Sequence, residues 1–212
     1  MRVYLTVLTT DDYAVGALAL YQSLREIIPP HKYDFVIVLT KDVSDGCEVL
    51  IRNSGISTIR IDKHLERLSV SPKRTNKQGF LHWNNTISKL LIFDLTQYDK
   101  IVYLDSDMIV LRNLDDLFEK PHMSAVVADV LMPGHEAWVQ LSSGLMVIEP
   151  EAGLSSTIMA QAKDVDSKKY LYSDQDILQE HFADWPKHPE LHLDQTYNIL
   201  LRSVDIYKGS RI

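Results

Sequence analysis

Of the 212 residues, 45% are hydrophobic, about 95 apolar side chains, enough to close one substantial core rather than several small ones. Charged residues at 24%, with only 8 glycines and 8 prolines, exclude a collagenous or low-complexity chain and disfavour disorder. A net charge of −7, from 29 acidic against 22 basic residues, argues against a chain that wraps a phosphate backbone, so nucleic acid is not an expected partner.

The single cysteine, Cys47, allows no internal disulfide and fits a reducing, cytoplasmic setting. No apolar run reaches the roughly 18 to 20 residues that span a bilayer, so no membrane span is expected. The polar Thr9, Thr10, Asp11 and Asp12 arrive too early for a secretory signal.

Residues 3–8 are apolar and β-branched, the pattern of a strand buried on both faces in a parallel sheet. Thr9-Thr10-Asp11-Asp12 ends it as an acidic N-cap. Ala14, Ala17, Leu18, Tyr21, Leu24 and Ile28 then recur at helical spacing up to Pro29-Pro30, which lacks the donor to continue a helix. Residues 35–39 repeat the strand pattern, 44–53 read as a helix closed by Gly55, and 56–61 as a third strand. This alternation predicts an α/β fold, a Rossmann-like, mostly parallel central sheet flanked by helices.

Between Asp62 and Trp83 periodicity fails. The basic stretch with Lys73, Arg74 and Lys77 reads either as a lid over an anionic ligand or as a solvated loop. Residues 86–95 predict a helix, and 101–104 a buried strand that runs straight into Asp105-Ser106-Asp107. Then follow an apolar strand at 125–128, a turn at Ser142-Ser143-Gly144, a strand at 145–148, and helices near 151–162 and 174–182. No repeat or linker divides the chain, so one domain over 1–212 is expected. The stop at Ile212, after the strand-like residues 204–207, reads as a truncated end with room for further domains beyond it.

Twenty aspartates in this length yield about two Asp-x-Asp triplets by chance, and three occur. Asp164/Asp166 lies in a polar run and reads as solvated loop; Asp174/Asp176 opens a predicted helix, where Asp serves as cap and dipole partner. Only Asp105/Asp107 follows a buried strand, the place where ligands of parallel sheets gather. A turn there brings both carboxylates onto one ion, and hard oxygen ligands favour Mg²⁺ or Mn²⁺, which complete their shells with substrate phosphate. From spacing alone two alternatives stand: an Asp turn capping Leu114-Asp115-Asp116-Leu117, and a phosphatase with Asp105 as nucleophile. Such phosphatases carry Gly then Thr or Val after the pair, where Met108 and Ile109 stand here. His181, His188 and His192 lack the i, i+4 spacing of a zinc pair. Trp83, Trp138 and Trp185 read as core residues or sugar-stacking faces.

Several segments, in order, carry a family resemblance: Leu8 to Tyr13, Gly16-Ala17-Leu18, Ser88-Lys89-Leu90, Leu95 to Asp107, Asn113 to Phe118, Ser143 to Val147, Ser173 to Leu178, and Tyr197-Asn198. Together they resemble the glycogenin-like retaining glycosyltransferases of family 8, which include galactinol synthase and bacterial lipopolysaccharide hexosyltransferases. The resemblance implies a GT-A fold and metal-dependent transfer of a hexose or deoxyhexose from a UDP-sugar donor to a hydroxyl of a glycan or glycoprotein acceptor. It implies that Leu8, Thr10, Asp11 and Tyr13 surround the uridine, with Asp105 and Ser106 adding contacts. Asp105 and Asp107 would hold Mn²⁺ or Mg²⁺ against the diphosphate. Lys89 would lie near the donor, its alternative being an exposed helix lysine. Asp129, Ser143 and Gly144 would contact the sugar, and Asp174 and Gln175 would flank the reacting carbon. A second class remains open, a UDP-sugar-binding module without catalysis. Three departures stand out: Ser142 replaces the family's usual Asn, Leu171 replaces a polar residue, and the family's C-terminal His-x-x-Gly-x-x-Lys-Pro-Trp block has no counterpart before Ile212.

Overall fold

The computed structural model describes residues 1–27, 32–61, 88–162 and 173–201. The strands are β1 (Arg2–Leu8), β2 (Asp34–Leu39), β3 (Ser57–Arg60), β4 (Lys100–Leu104), β5 (Ala125–Val127), β6 (Leu141–Ile148) and β7 (His192–Leu193). The helices are α1 (Ala14–Ile27), α2 (Asp45–Asn53), α3 (Leu154–Ala162) and α4 (Asp174–His181).

The strands form one seven-stranded sheet in the order β3-β2-β1-β4-β6-β5-β7. Four of its pairings are parallel, while β6 runs antiparallel to both β4 and β5. The expected α/β architecture is therefore present.

β1 is buried from Val3 to Leu8 because both its faces are covered. Val3, Leu5 and Val7 enter one core with Ile158 and Met159 of α3 and Ile177 and Leu178 of α4. Tyr4 and Leu8 enter the other, where α1 lays Ala17, Leu20 and Leu24 and α2 lays Cys47 and Ile51. Each fully buried Leu or Ile in these layers contributes roughly 1.5–3 kcal/mol.

Local chemistry sets the helix ends. Ser44 caps α2 by accepting from Cys47 N at 3.1 Å, and beyond its last turn Gly55 takes φ +81°, as left-handed closure requires. Ser173 and Asp176 form a capping box on α4: the Ser173 hydroxyl accepts from Asp176 N, and the Asp176 carboxylate accepts from Ser173 N at 2.7 Å.

Three local expectations are corrected. The segment predicted as a helix at 86–95 is a 3₁₀ run over Ser88–Asp94, with every residue from Ser88 to Phe93 buried. A segment enclosed on all sides is held by packing, and tight turns such as Leu95 N to Ile92 O replace the regular α ladder. Thr10 makes no side-chain cap; Asp11–Tyr13 form a 3₁₀ turn that leads into α1. Ser142-Ser143-Gly144 is no chain reversal but part of β6. Ala125 faces Met146, yet Val127 faces Leu141 where a regular ladder would reach Gly144, so residues 142–144 bulge from the β5 pairing. The loop expected at 62–83, Asp164/Asp166, Leu171 and the strand expected at 204–207 lie outside the described residues.

Candidate active site

From β1 the parallel strands run one way through β2 to β3, and on its other side lies β4. This reversal of strand order opens a crevice beyond the carboxyl ends of β1 and β4. Because β6 is antiparallel, its amino-terminal end arrives at the same edge, and Asp105 N donates to Gly144 O at 2.9 Å. The Asp105-Ser106-Asp107 turn presses against α1 so closely that a Cβ on Gly16 would stand 2.5 Å from Ser106 O. Only glycine fits there.

Lys89 occupies the centre of the edge. It is buried, with Nζ 3.0 Å from Asp105 Oδ1, 3.0 Å from Asp174 Oδ2 and 3.2 Å from Ser143 Oγ. Burial favours its neutral form, but Asp105 and Asp174 outweigh that and hold its pKa above the ordinary lysine value. Of the two lysine environments considered above, the exposed one is therefore corrected.

Tyr103 OH donates to Asp105 Oδ1 at 2.6 Å, and burial, reinforced by Asp105, pushes that phenol's pKa well up. Ser143 Oγ donates to Asp174 Oδ2 at 2.8 Å, and Ser143 N donates to Gln175 Oε1 at 3.1 Å. The bulge in β6 thus couples the strand edge to the first turn of α4. The third Asp-x-Asp triplet divides its labour: Asp176 caps the helix while Asp174 meets Lys89.

A cleft of about 260 Å³ opens over this cluster, walled by Lys89, Asp105, Ser106, Asp107, Ser143 and Asp174, with Tyr13, Thr9 and Val7 on the β1 side. A second cavity of about 160 Å³ lies beyond the bulge, with Asp129, Ser142, Gln175 and Asn198 in its wall. Gly144 stands between them: a Cβ there would lie 2.9 Å from Asn198 Nδ2 and 3.3 Å from Asp105 Oδ2. Asp129 holds φ +51°, a left-handed conformation uncommon outside glycine.

On the β1 side the structure redistributes the residues chosen from sequence. Tyr13 lines the cleft, but the Leu8 side chain is fully buried in the core and its carbonyl accepts from Thr40 N at 3.1 Å. Thr10 O accepts from Tyr13 N within the turn. Asp11 turns to α2, accepting from Ser44 N at 2.8 Å and Ser44 Oγ at 2.7 Å, bonds that lower its pKa. Val7, Thr9 and Tyr103 were not singled out from sequence. Tyr103 had a signal there, since it precedes Asp105 by two residues and shares its face of the strand.

A sequence model of the family described as glycosyl transferase family 8 matches residues 4–208. This chain belongs to that family. It is 34% identical over 189 residues to UDP-glucuronate:xylan alpha-glucuronosyltransferase 2 of Arabidopsis thaliana, covering 89% of this chain and 28% of the relative. It is 31% identical over 208 residues to glycogenin-1 of Homo sapiens, covering 97% of this chain and 55% of the relative. The chain therefore spans well under two thirds of either protein. Its fold is shared with the galactosyltransferase LgtC, solved with donor and acceptor sugar analogs, at a TM-score of 0.58 and 17% identity over 93% of this chain and 81% of that one. The family 8 match displaces the phosphatase alternative, and the shared architecture is GT-A.

As a family 8 member, the chain can be tested for a divalent ion. Asp105 has one oxygen engaged by Lys89 and Tyr103, its other oxygen faces Gly144, and Asp107 is exposed on the cleft wall. Among the described residues no group of three or more His, Cys, Asp or Glu side chains is placed to hold a metal. Two hard carboxylates at a cleft fit an ion whose shell is completed by ligand phosphate and water. The histidines stand elsewhere: His188 pairs with Glu190, and His192 stacks on the buried Trp185. Trp138 is exposed on the β5–β6 loop, stacked on His135.

Proposed function

We propose that residues 1–212 form the nucleotide-sugar domain of a retaining, metal-dependent glycosyltransferase, which moves a hexose or deoxyhexose from a UDP-sugar to a hydroxyl of a glycan or glycoprotein. The observation that carries this reading is the buried Lys89 ammonium, shared by Asp105 and Asp174 at the sheet's switch point. Cleaving the bond from sugar to phosphate develops negative charge on UDP and positive charge on the anomeric carbon. Asp105 and Asp107 would hold a Mn²⁺ or Mg²⁺, which would supply Lewis-acid stabilisation of the diphosphate.

The chain's own residues do the rest. Tyr13 and Thr9 wall the nucleoside side of the cleft, Ser106 and Gly16 fix the turn that carries both carboxylates, and Lys89 orients Asp105 and Asp174 together. Asp174 in the cleft wall, and Gln175 in the wall of the second cavity with its amide oxygen held by Ser143 N, would flank the anomeric carbon, where a fixed dipole or charge stabilises it. We also assign a cytoplasmic location, from the lone Cys47. Among the described residues no helix is long and apolar enough to cross a membrane.

The test is a panel of UDP-sugars screened for Mn²⁺-dependent hydrolysis, with UDP binding followed by titration calorimetry. Asp107→Ala is expected to abolish the Mn²⁺-dependent part of UDP binding. Because Asp107 is exposed, the variant should shift unfolding by less than about 0.5 kcal/mol. UDP affinity indifferent to both Mn²⁺ and this substitution would defeat the reading.

A further inference from the structure

A central strand covered on both faces is filled with apolar side chains, and Tyr103 departs from that rule by bringing a hydroxyl into β4. Burying a hydroxyl is costly unless it is hydrogen-bonded. This one is used at the tip of its own strand, where Tyr103 OH donates to Asp105 Oδ1 at 2.6 Å. The ring is held as well. Tyr103 is paired with Leu5 of β1 and Met146 of β6, and the Lys89 ammonium stands 4.6 Å from the ring centroid.

Lys89 Nζ donates to the same Oδ1 at 3.0 Å. Its ammonium is divided, because it also reaches Asp174 Oδ2 at 3.0 Å and Ser143 Oγ at 3.2 Å. The phenol has one proton and gives it to Asp105. Two donors from the interior therefore turn Oδ1 inward, while Oδ2 lies on the side of residue 144, 3.3 Å from where a Cβ would stand. The Asp105 side chain is still 38% exposed, so its carboxylate remains within reach of the cleft. Without the phenol, rotation about the last bond of the side chain would exchange the two oxygens more freely.

We infer that Tyr103 is a positioning residue: its hydroxyl, together with Lys89, fixes the Asp105 carboxylate so that Oδ2 is the oxygen offered to a divalent ion. The inference rests on the metal-dependent reading proposed above. Partners that hydrogen-bond a ligating carboxylate set its direction, and losing one typically weakens the metal about tenfold or more.

Tyr103→Phe tests this. The variant keeps the ring in its layer and under Lys89, and Oδ1 keeps its bond from Lys89, so the fold is retained. UDP affinity measured by calorimetry in saturating Mn²⁺ is expected to fall about tenfold, with UDP affinity in EDTA unchanged. Electron paramagnetic resonance of the Mn²⁺ held with UDP should show a broader spectrum, as Asp105 samples more than one orientation. If the parent binds UDP in a Mn²⁺-dependent way and the variant matches it in affinity and spectrum, the inference fails and the metal reading stands. An equal loss in Mn²⁺ and in EDTA would make the hydroxyl a general support of the cleft and overturn the inference. If the parent's UDP affinity does not respond to Mn²⁺, both readings fall.

Discussion

At the amino ends of β1 and β4 two charged pairs stand on the rim. The Met1 amino group meets Asp99, with side chains 56% and 83% exposed, and Arg2 meets Glu119, with side chains 38% and 70% exposed. At the carboxyl ends Lys89, only 8% exposed, is wedged between two carboxylates. Pairs of the first kind gain little, because water solvates each partner almost as well alone. The second kind is different: desolvating Lys89 and Asp174 is costly, only their contacts with each other and with Asp105 offset it, and removing one member strands the others. One end of the sheet wears its charges, and the other is organised around them. Ligand chemistry belongs at the second.

Substitutions at the two ends should separate them sharply. The largest effect is expected from Lys89→Ala, which leaves Asp105 and Asp174 facing each other without a cation. Urea unfolding should show a loss of about 3 kcal/mol, and a loss near zero would place the cluster with the rim pairs. Next comes Gly16→Ala at the same end. Its Cβ must displace the Ser106 carbonyl, so about 2 kcal/mol should be lost along with Mn²⁺-dependent UDP affinity. Unchanged UDP affinity would show that the carboxylate turn is not set by this contact.

A smaller effect is expected at the opposite end, from His122. Burial lowers its pKa, against the pull of Glu149 and Glu151, and its Nδ1 accepts from Glu149 N at 2.9 Å, which requires the neutral ring. The unfolded chain takes the proton more readily. Stability is therefore full above the ordinary histidine pKa, about 6.5, and falls as pH drops toward the lower folded value. His181 is shifted the same way by burial, so the informative quantity is the difference in acid slope of melting temperature between the parent and His122→Phe. The variant should be flatter below pH 6.5, and equal slopes would count against His122. The smallest effect is reserved for Arg2→Ala, with a melting temperature indistinguishable from the parent's.

Much of the first half was legible without coordinates. Parallel strands covered on both faces must be apolar at consecutive positions, so β1, β2 and β4 announce themselves, and Asp105 is conspicuous because it ends such a run. The second half was less so. β6 reads as a turn followed by a strand because Ser142-Ser143-Gly144 has turn composition, yet the same residues satisfy a bulge. Asp174 and Asp176 look alike as first-turn acids, and only the approach of Lys89 from the 3₁₀ segment tells them apart. Asp11 sits in a motif that points to the nucleotide, but Ser44, 33 residues later, claims both its oxygens.

The sequence alone determined the α/β alternation, the two-sided burial of the central strands and the place of Asp105 at a strand's end, since periodicity and turn chemistry act between near neighbours. Tertiary structure decided what Lys89 touches, which aspartate caps and which joins the cluster, and how the bulge separates the cleft from the second cavity. Those outcomes depend on strand order and on charges brought within 3.0 Å from segments 16 and more residues apart, and no local pattern encodes such distances.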